Sequence, residues 1–556
     1  MMAARVKEAI VAHWTTHGME RSQRQIERER WLIPGVPVVP FSRYVLFPAA
    51  FLIQMCIGSL YAWSGFNTAI ERYLYDPPIV NGTLVDLNIA PVTFYIAVAF
   101  LGLTAAILGP WLERNGPLKG VLLGATLFTL GNLGTALGVY LKSIAVIYIS
   151  YGVVGGMGLG IGYISPVSPL QKWFPDCRGI AAGFAVCGFG GGSIVASYVQ
   201  KALIRVLPLP MVFVTLGVAY FTIMVVSGVT LRIPPPGYTV DGVGVQSIKG
   251  AEELERKPNL QVIAIERNSA ATDDPARQQT QPSGHWTMTL SEALFSREFL
   301  LIELMFLGNI IAGLLVISKI QTIATAQFGR SADEAVTVNA ILGGCNLGGR
   351  LIVSTISDRV GRKTMFIVML ASQAIFVGIL PITISNQYYA AFLTCVFGVA
   401  FMYGGGFGTI PALLADQFSA QNTGATHGMV LTAWATAGVI GGLTFAAVFD
   451  AESARLGVKS LHVYDANFRW ILAVIVLSLI VSAVILTNIR DRKLPYDPNE
   501  VLRLRIPGGR LVRFYSNAWP RIVPKAEEDK QWNAWVSSLH QGKAGQLPIV
   551  HVNIEG

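Results

Sequence analysis

The sequence predicts an all-α polytopic membrane protein, with twelve transmembrane helices in two six-helix pseudo-symmetric halves. Three observations carry this expectation. Of 556 residues, 52% are hydrophobic and only 13% are charged, about half the charged share of a soluble domain. A chain so poor in charge cannot cover a water-facing surface. Twelve apolar runs reach the roughly 20 residues needed to cross a bilayer. Short motifs in the first half then recur in the second at a nearly constant offset.

The runs lie near 44–66, 90–112, 119–141, 144–168, 178–203 and 209–231, then 297–320, 335–356, 364–384, 388–413, 424–449 and 470–489. The first 43 residues are polar and carry both signs, so no cleavable signal peptide is expected. This divides the chain into an amino tail (1–43), a first half (44–232), a linker (233–296), a second half (297–489) and a carboxyl tail (490–556). The linker opens with Pro234, Pro235 and Pro236 and mixes charges. It reads as largely disordered apart from a surface helix. The 57 glycines suit helices that approach closely in lipid.

The net charge of +9 would raise nucleic acid as a partner in a soluble protein. Here the basic residues sit in tails and loops, which points to orientation in the bilayer instead. Arg21, Arg24, Arg28, Arg30 and Arg43 precede the first run. Lys172 and Arg178 follow the fourth, Arg359, Arg362 and Lys363 the eighth, and Arg490, Arg492 and Lys493 the last. With twelve spans all of these share one side, so both termini are expected in the cytoplasm, most simply at a plasma membrane. The loop after span 1 then lies outside, with Asn81-Gly82-Thr83 as a glycosylation candidate.

The five cysteines, Cys56, Cys177, Cys187, Cys345 and Cys395, are odd in number and show no disulfide or metal spacing. No metal or cofactor is expected. No nucleophile elbow appears, which argues against a membrane enzyme. No P-loop appears either, which argues against an ATP-driven pump.

Glu113-Arg114-Asn115-Gly116 and Asp358-Arg359-Val360-Gly361 stand 245 positions apart. Gly179 and Gly183 recur as Gly424 and Gly428 at the same offset, and Phe174 as Phe418 one position closer. This suggests a duplicated unit, the build of secondary carriers whose site lies between the halves. In the second copy the acid can accept from a helix N-terminus and from Arg. The glycine permits a tight turn, and Arg362 and Lys363 follow. The loop resembles the signature loop of the major facilitator superfamily. That resemblance implies a conformational latch made by Asp358, Arg359, Gly361 and Arg362, with Glu113 and Arg114 as its first copy. Glu in place of Asp, with Pro117 and Leu118 after the glycine, predicts a weaker first latch.

Further stretches resemble the oxalate:formate antiporters and related monocarboxylate carriers. They are Gly58-Ser59-Leu60-Tyr61-Ala62-Trp63-Ser64, Gly160-Ile161-Gly162-Tyr163-Ile164-Ser165-Pro166, Lys172-Trp173-Phe174-Pro175 and Asn346-Leu347-Gly348-Gly349-Arg350. The resemblance covers both halves but neither tail nor the linker. Arg350 precedes Asp358 by eight residues, which places it roughly 12 Å into the membrane. A charged residue at that depth usually faces a cavity, and a guanidinium can grip a carboxylate with two bonds. A structural Arg held by a helix carbonyl or an acid is the alternative. The resemblance implies the carboxylate anchor. Asn346 sits one turn earlier on the same face, placed to orient Arg350, to bond the substrate, or to pack.

The related oxalate carriers hold a Lys in span 11, where this chain has Trp434 within Thr432-Ala433-Trp434-Ala435. One cation instead of two suits a singly charged substrate. Tyr61 and Tyr163 stand as phenolic donors to a small anion or as packing. Glu303 and His427 are the candidates for proton coupling, and both are placed near the cytoplasmic ends of their spans.

The expectation is a secondary-active transporter of small carboxylate anions, monocarboxylates favoured, working by alternating access with a proton or a counter-anion. Its partners are then the substrate and the lipid bilayer, with no nucleic acid, and its functional unit is a monomer. Two alternatives stand: an oxalate:formate-type dicarboxylate antiporter, and a non-transporting nutrient sensor on a carrier fold.

Overall fold

Among the described residues, eleven helices of the computed structural model are long and apolar enough to cross a membrane. The structure describes residues 12–14, 19–76, 79–80, 83–84, 89–245, 289–457, 460–506 and 509–540. Asn81 and most of the central linker lie outside them. The helices are α1 (Arg43–Ala62), α2 (Pro91–Asn115), α3 (Pro117–Tyr140), α4 (Ile144–Trp173), α5 (Arg178–Val206) and α6 (Leu209–Gly228). After the linker come α7 (Arg297–Phe328), α9 (Arg362–Ser385), α10 (Tyr389–Phe418), α11 (Ala420–Leu456) and α12 (Asp465–Val484).

Between α7 and α9 runs α8 (Ala332–Val360), 29 residues long. The sequence predicts it as a span, yet it is less apolar than the rest. Asn346, Arg350, Ser354 and Ser357 are all buried on it. These positions recur at helical spacing, so one polar stripe faces inward.

Local chemistry sets the boundaries. Pro91 and Pro117 open α2 and α3, where proline's missing N–H costs nothing. Gly116 and Gly361 end α2 and α8 at φ 85° and 100°, a region that favours glycine. Ser296 caps α7 by accepting from the backbone N–H of Phe299 at 3.1 Å. Past Trp63, α1 resumes as Ser64–Tyr75, beyond the predicted end of the first span. The amino tail is tied down: Arg232, just after α6, donates to the carbonyls of Glu29, Trp31 and Leu32 at 2.6–2.7 Å.

The described chain divides into a helical body, which ends at Ser482, and a second unit from Ala483 onward. The second unit is a small fold of its own, which the basic composition of the carboxyl tail did not announce. Strands β1 (Glu500–Arg505), β2 (Leu511–Tyr515) and β3 (Arg521–Val523) pair antiparallel in that order, and α13 (Lys525–His540) follows. Arg503 is fully buried, paired with Glu500 and donating to the Leu494 carbonyl at 2.7 Å. Arg505 bridges Asp491 and Glu528 at 2.6 and 2.7 Å. Both charges are matched, as buried charges must be.

Candidate functional site

Glycine decides how closely the helices around α8 approach. Gly404 and Gly408 of α10 lie against the backbone of Asn346 and Arg350, and Gly183 and Gly190 of α5 lie against Arg350 and Leu347. A Cβ at any of these positions would collide with α8. The stripe carrying Asn346 and Arg350 is therefore gripped from both sides, backbone to backbone.

Arg350 has no exposed surface. Its Nε donates to Asn346 Oδ1 at 2.9 Å, and Nη1 donates to the carbonyl of Val186 on α5 at 3.0 Å. Asn346 thus bonds the guanidinium directly, from one turn earlier on α8. The guanidinium lies 5.1 Å from the ring centre of Phe189 and 4.9 Å from that of Phe407, within cation–π range. Trp434 closes the box, its ring 5.4 Å from Phe407, 5.7 Å from Phe189, 6.0 Å from Tyr61 and 6.3 Å from Tyr163. The hydroxyls of Tyr61 (α1) and Tyr403 (α10) meet in a hydrogen bond that joins the two halves. Six helices contribute: α1, α4, α5, α8, α10 and α11.

The backbone helps to aim Trp434. Helix α11 loosens at Leu431 and takes a π-helical turn over Ala437–Gly441, a wide turn often found at functional sites. Among the described residues the indole N–H of Trp434 has no hydrogen-bond partner, and the Tyr163 hydroxyl lies beside the Arg350 guanidinium. An arginine held on one edge, with an unspent donor nearby, can take up a small anion with an apolar body.

The two coupling candidates stand in different settings. His427 is fully buried, 5.7 Å from the Tyr163 ring, with neither ring nitrogen hydrogen-bonded among the described residues. It borders the box rather than the membrane surface. Glu303 is half-buried and accepts from Thr432 Oγ1 of α11 at 2.5 Å. Thr432 stands two residues before Trp434.

At one end of the body the loop residues bridge the halves. Asp358 accepts from the backbone N–H groups of Gly179 and Ile180, which open α5, at 3.0 and 3.2 Å. Arg362 binds both Asp358, at 2.5 Å, and Asp416, at 3.1 Å, and Arg178 reaches Asp416 at 3.1 Å. Glu113 accepts from the N–H of Gly424 in α11 at 2.6 Å and from Ser168 Oγ at 2.9 Å, and it pairs with Lys172. The longer Glu side chain reaches its helix end, so the first copy is as fully bonded as the second, against the expectation of a weaker latch. Arg114 instead donates to the carbonyls of Ala12 and His13 in the amino tail, at 2.8 and 2.7 Å. Arg359 is exposed and forms no ion pair among the described residues.

These bridges come in pairs. Glu113 meets Gly424 while Asp358 meets Gly179. Gly428 meets the Ala105 carbonyl while Gly183 meets the Arg350 carbonyl. Within each pair, both partners shift by 245 positions. The counterpart of Arg350 is therefore Ala105, and the repeat carries no second arginine at that position.

Two cavities lie toward the other end. One of about 220 Å³ is lined by Tyr61, Phe94, Tyr95 and Lys319. A larger one, of about 760 Å³, shares Ser64, Thr68, Gln321 and Asn339 with it. Among the described residues, the bridges thus lie at the loop end and these two cavities toward the opposite end. The sequence motifs do not single out Phe189, Tyr403 or Phe407. Inside a wholly apolar run, an aromatic residue carries no mark separating a site wall from packing.

The family model described as Major Facilitator Superfamily matches residues 46–442. The chain is 25% identical over 394 residues to an uncharacterised MFS-type transporter, YhjX, of Escherichia coli (strain K12), covering 70% of this chain and 84% of that one. It is 23% identical over 443 residues to apicoplast pyruvate carrier 1 of Toxoplasma gondii, covering 68% and 78%. It is 23% identical over 414 residues to the oxalate:formate antiporter of Oxalobacter formigenes, covering 73% and 84%. Among solved structures, the proton:xylose symporter XylE superposes with a TM-score of 0.57 at 16% identity, over 79% of this chain and 94% of that one. At that identity the likeness concerns the fold alone.

Proposed function

We propose that a small monocarboxylate anion is the cargo of this chain, which belongs to the Major Facilitator Superfamily and is a secondary-active transporter rather than an enzyme. The observation that supports this most is the buried Arg350 in its aromatic box between the halves. A desolvated guanidinium attracts a carboxylate strongly, and rings of Phe and Trp accept the small apolar remainder. Trp434 stands where the related oxalate carriers hold a Lys, so the box matches one negative charge better than two. The names of two relatives, a pyruvate carrier and an oxalate:formate antiporter, agree with this cargo class.

In this reading α8 is the twelfth span, and α1–α6 and α7–α12 form two halves that rock about the box. The loop bridges hold the state in which the hollow end is open. Release of Asp358 and Glu113 from their helix ends lets the loop end part. Glu303 and His427 are the groups placed to carry a coupled proton. The positive loops put the latched end, and both termini, in the cytoplasm, at a plasma membrane. One functional unit is a monomer. A second reading, exchange of a dicarboxylate, draws on Lys319, a cation lining the cavity beside Tyr61.

The test is uptake by reconstituted vesicles of formate, lactate, pyruvate and oxalate, with and without a proton gradient. Monocarboxylate flux supports the proposal, and preferential oxalate exchange favours the second reading. Binding without flux of any of the four would instead indicate a sensor.

A further inference from the structure

The 760 Å³ cavity has a chemistry that the Arg350 box does not require. Arg72 lines it from the extension of α1, and Lys201 and Arg205 line it from the end of α5. Asp76 is the acid on its wall. Arg72 and Arg205 form no ion pair among the described residues. Gln200, only 3% exposed, lines the same wall, and its side-chain oxygen has no hydrogen-bond partner among the described residues. A terminal amide that can turn its N–H groups inward suits an anion.

The placement is informative. Lys201 follows Arg178, at the latched end of α5, by 23 residues, roughly 34 Å of helix. The cations therefore stand at the end of the body opposite the basic loops. A bias of basic residues to one face of a membrane protein accounts for the loops and not for this cluster. From the cluster the lining runs through Ser64, Thr68, Gln321 and Asn339 to Lys319 and Tyr61. Tyr61 then touches both Tyr403 and the Trp434 ring. Cations mark the start and middle of this route, and Arg350 marks its end.

We propose that this cavity is an anion-collecting vestibule, in which Arg72, Lys201 and Arg205 concentrate small carboxylates ahead of the Tyr61–Tyr403 contact. The proposal rests on the carboxylate reading of the box. Charges on the walls of a low-dielectric cleft focus their field and raise local counter-ion concentration by about tenfold or more. Beyond the screening length, about 8 Å at physiological salt, bulk solution is unaffected.

The test uses a thiol at Thr68→Cys, where the two cavities join, and reads its modification by small anionic and cationic methanethiosulfonates. Rates are taken above the background of the five native cysteines, on protein that elutes as a single folded species. The anionic-to-cationic rate ratio should exceed that of free cysteine by about tenfold and fall toward it at 1 M salt. In the Arg72→Gln, Lys201→Gln, Arg205→Gln background the ratio should collapse. In the matching background with Arg72→Lys and Arg205→Lys it should persist, since charge is what acts. A ratio equal to that of free cysteine, or one the three neutral substitutions leave unchanged, would overturn the proposal. In uptake, the triple neutral variant should raise KM with kcat unchanged, and added salt should erase its difference from wild type. The labelling ratio involves no cargo. A protein that carries no carboxylate would therefore remove the reading of the box while the ratio still decides the vestibule.

Discussion

Asp358→Asn removes one charge from the loop end and should unlock it. The carboxylate receives three donors: the N–H groups of Gly179 and Ile180 and the Arg362 guanidinium. Asn keeps one acceptor oxygen and loses the charge. Hydrogen bonds to charged groups contribute about 1.5–3 kcal/mol each, so losing one bond and weakening the others costs the latched state about 3 kcal/mol. That is roughly a 100-fold shift toward the open form.

Cys177 reports the shift. It precedes Arg178 at the start of α5, and burial, with Asp176 and Asp358 beside it, pushes its thiol up to about 12. The thiolate is the reactive form, so the latched protein should label slowly near pH 8. Opening hydrates the thiol and moves it toward its ordinary value, which raises the thiolate fraction and the rate. The assay is maleimide labelling of Cys177 from the loop side, with Cys177→Ser as background. A rise of about 100-fold in Asp358→Asn is expected, and a comparable rise in Glu113→Gln. An unchanged rate in folded Asp358→Asn protein would refute the latch.

Further predictions follow from the box and the topology. Trp434→Lys should add the second cation and raise the oxalate-to-formate uptake ratio by at least about tenfold, whereas Trp434→Phe should leave it near wild type; an unchanged ratio in the Lys variant would remove Trp434 from the charge filter. Glu303→Gln should flatten the dependence of uptake on a proton gradient while leaving exchange intact, and a preserved gradient response would take Glu303 out of the coupling. A thiol reagent should reach Ser269→Cys only from the cytoplasm, and reaction from outside in intact cells would reverse the orientation.

The spans were legible because lipid demands long apolar runs, and the runs differ from the helices mainly at their ends. The first helix shows why ends are harder. Tyr75 closes an extension whose Asn67, Glu71 and Arg72 no longer resemble a span, yet backbone hydrogen bonding carries the helix on. The bridging loop was legible because Asp358 and Gly361 form a spaced, chemically distinct motif. The full bonding of Glu113 was not, since Gly424 and Ser168 are distant in sequence and reach it only through packing. Arg350 stood out as a charge among apolar residues, while Phe189, Tyr403 and Phe407 blended into their surroundings. The carboxyl unit was missed for a different reason. Its core is built on matched charges such as Arg503 with Glu500, and a basic, polar composition conceals such a core.

The central claim is that Arg350 binds the carboxylate of the cargo. Its partners in the protein are neutral, the Asn346 side chain and the Val186 carbonyl, so it contributes charge that only an anion would match. Arg350→Lys keeps the charge and loses the planar fork, and should transport with a raised KM. Arg350→Gln leaves the anion without a counter-charge, at a cost on the order of 2–5 kcal/mol, or roughly 30-fold or more in affinity. The decisive measurement is the affinity of the best-transported monocarboxylate for folded, monodisperse Arg350→Gln protein, taken beside folded yield on the same preparation. The account predicts normal folding with binding weakened at least 30-fold. Reduced yield with wild-type affinity in the folded fraction would make Arg350 a structural residue and contradict it.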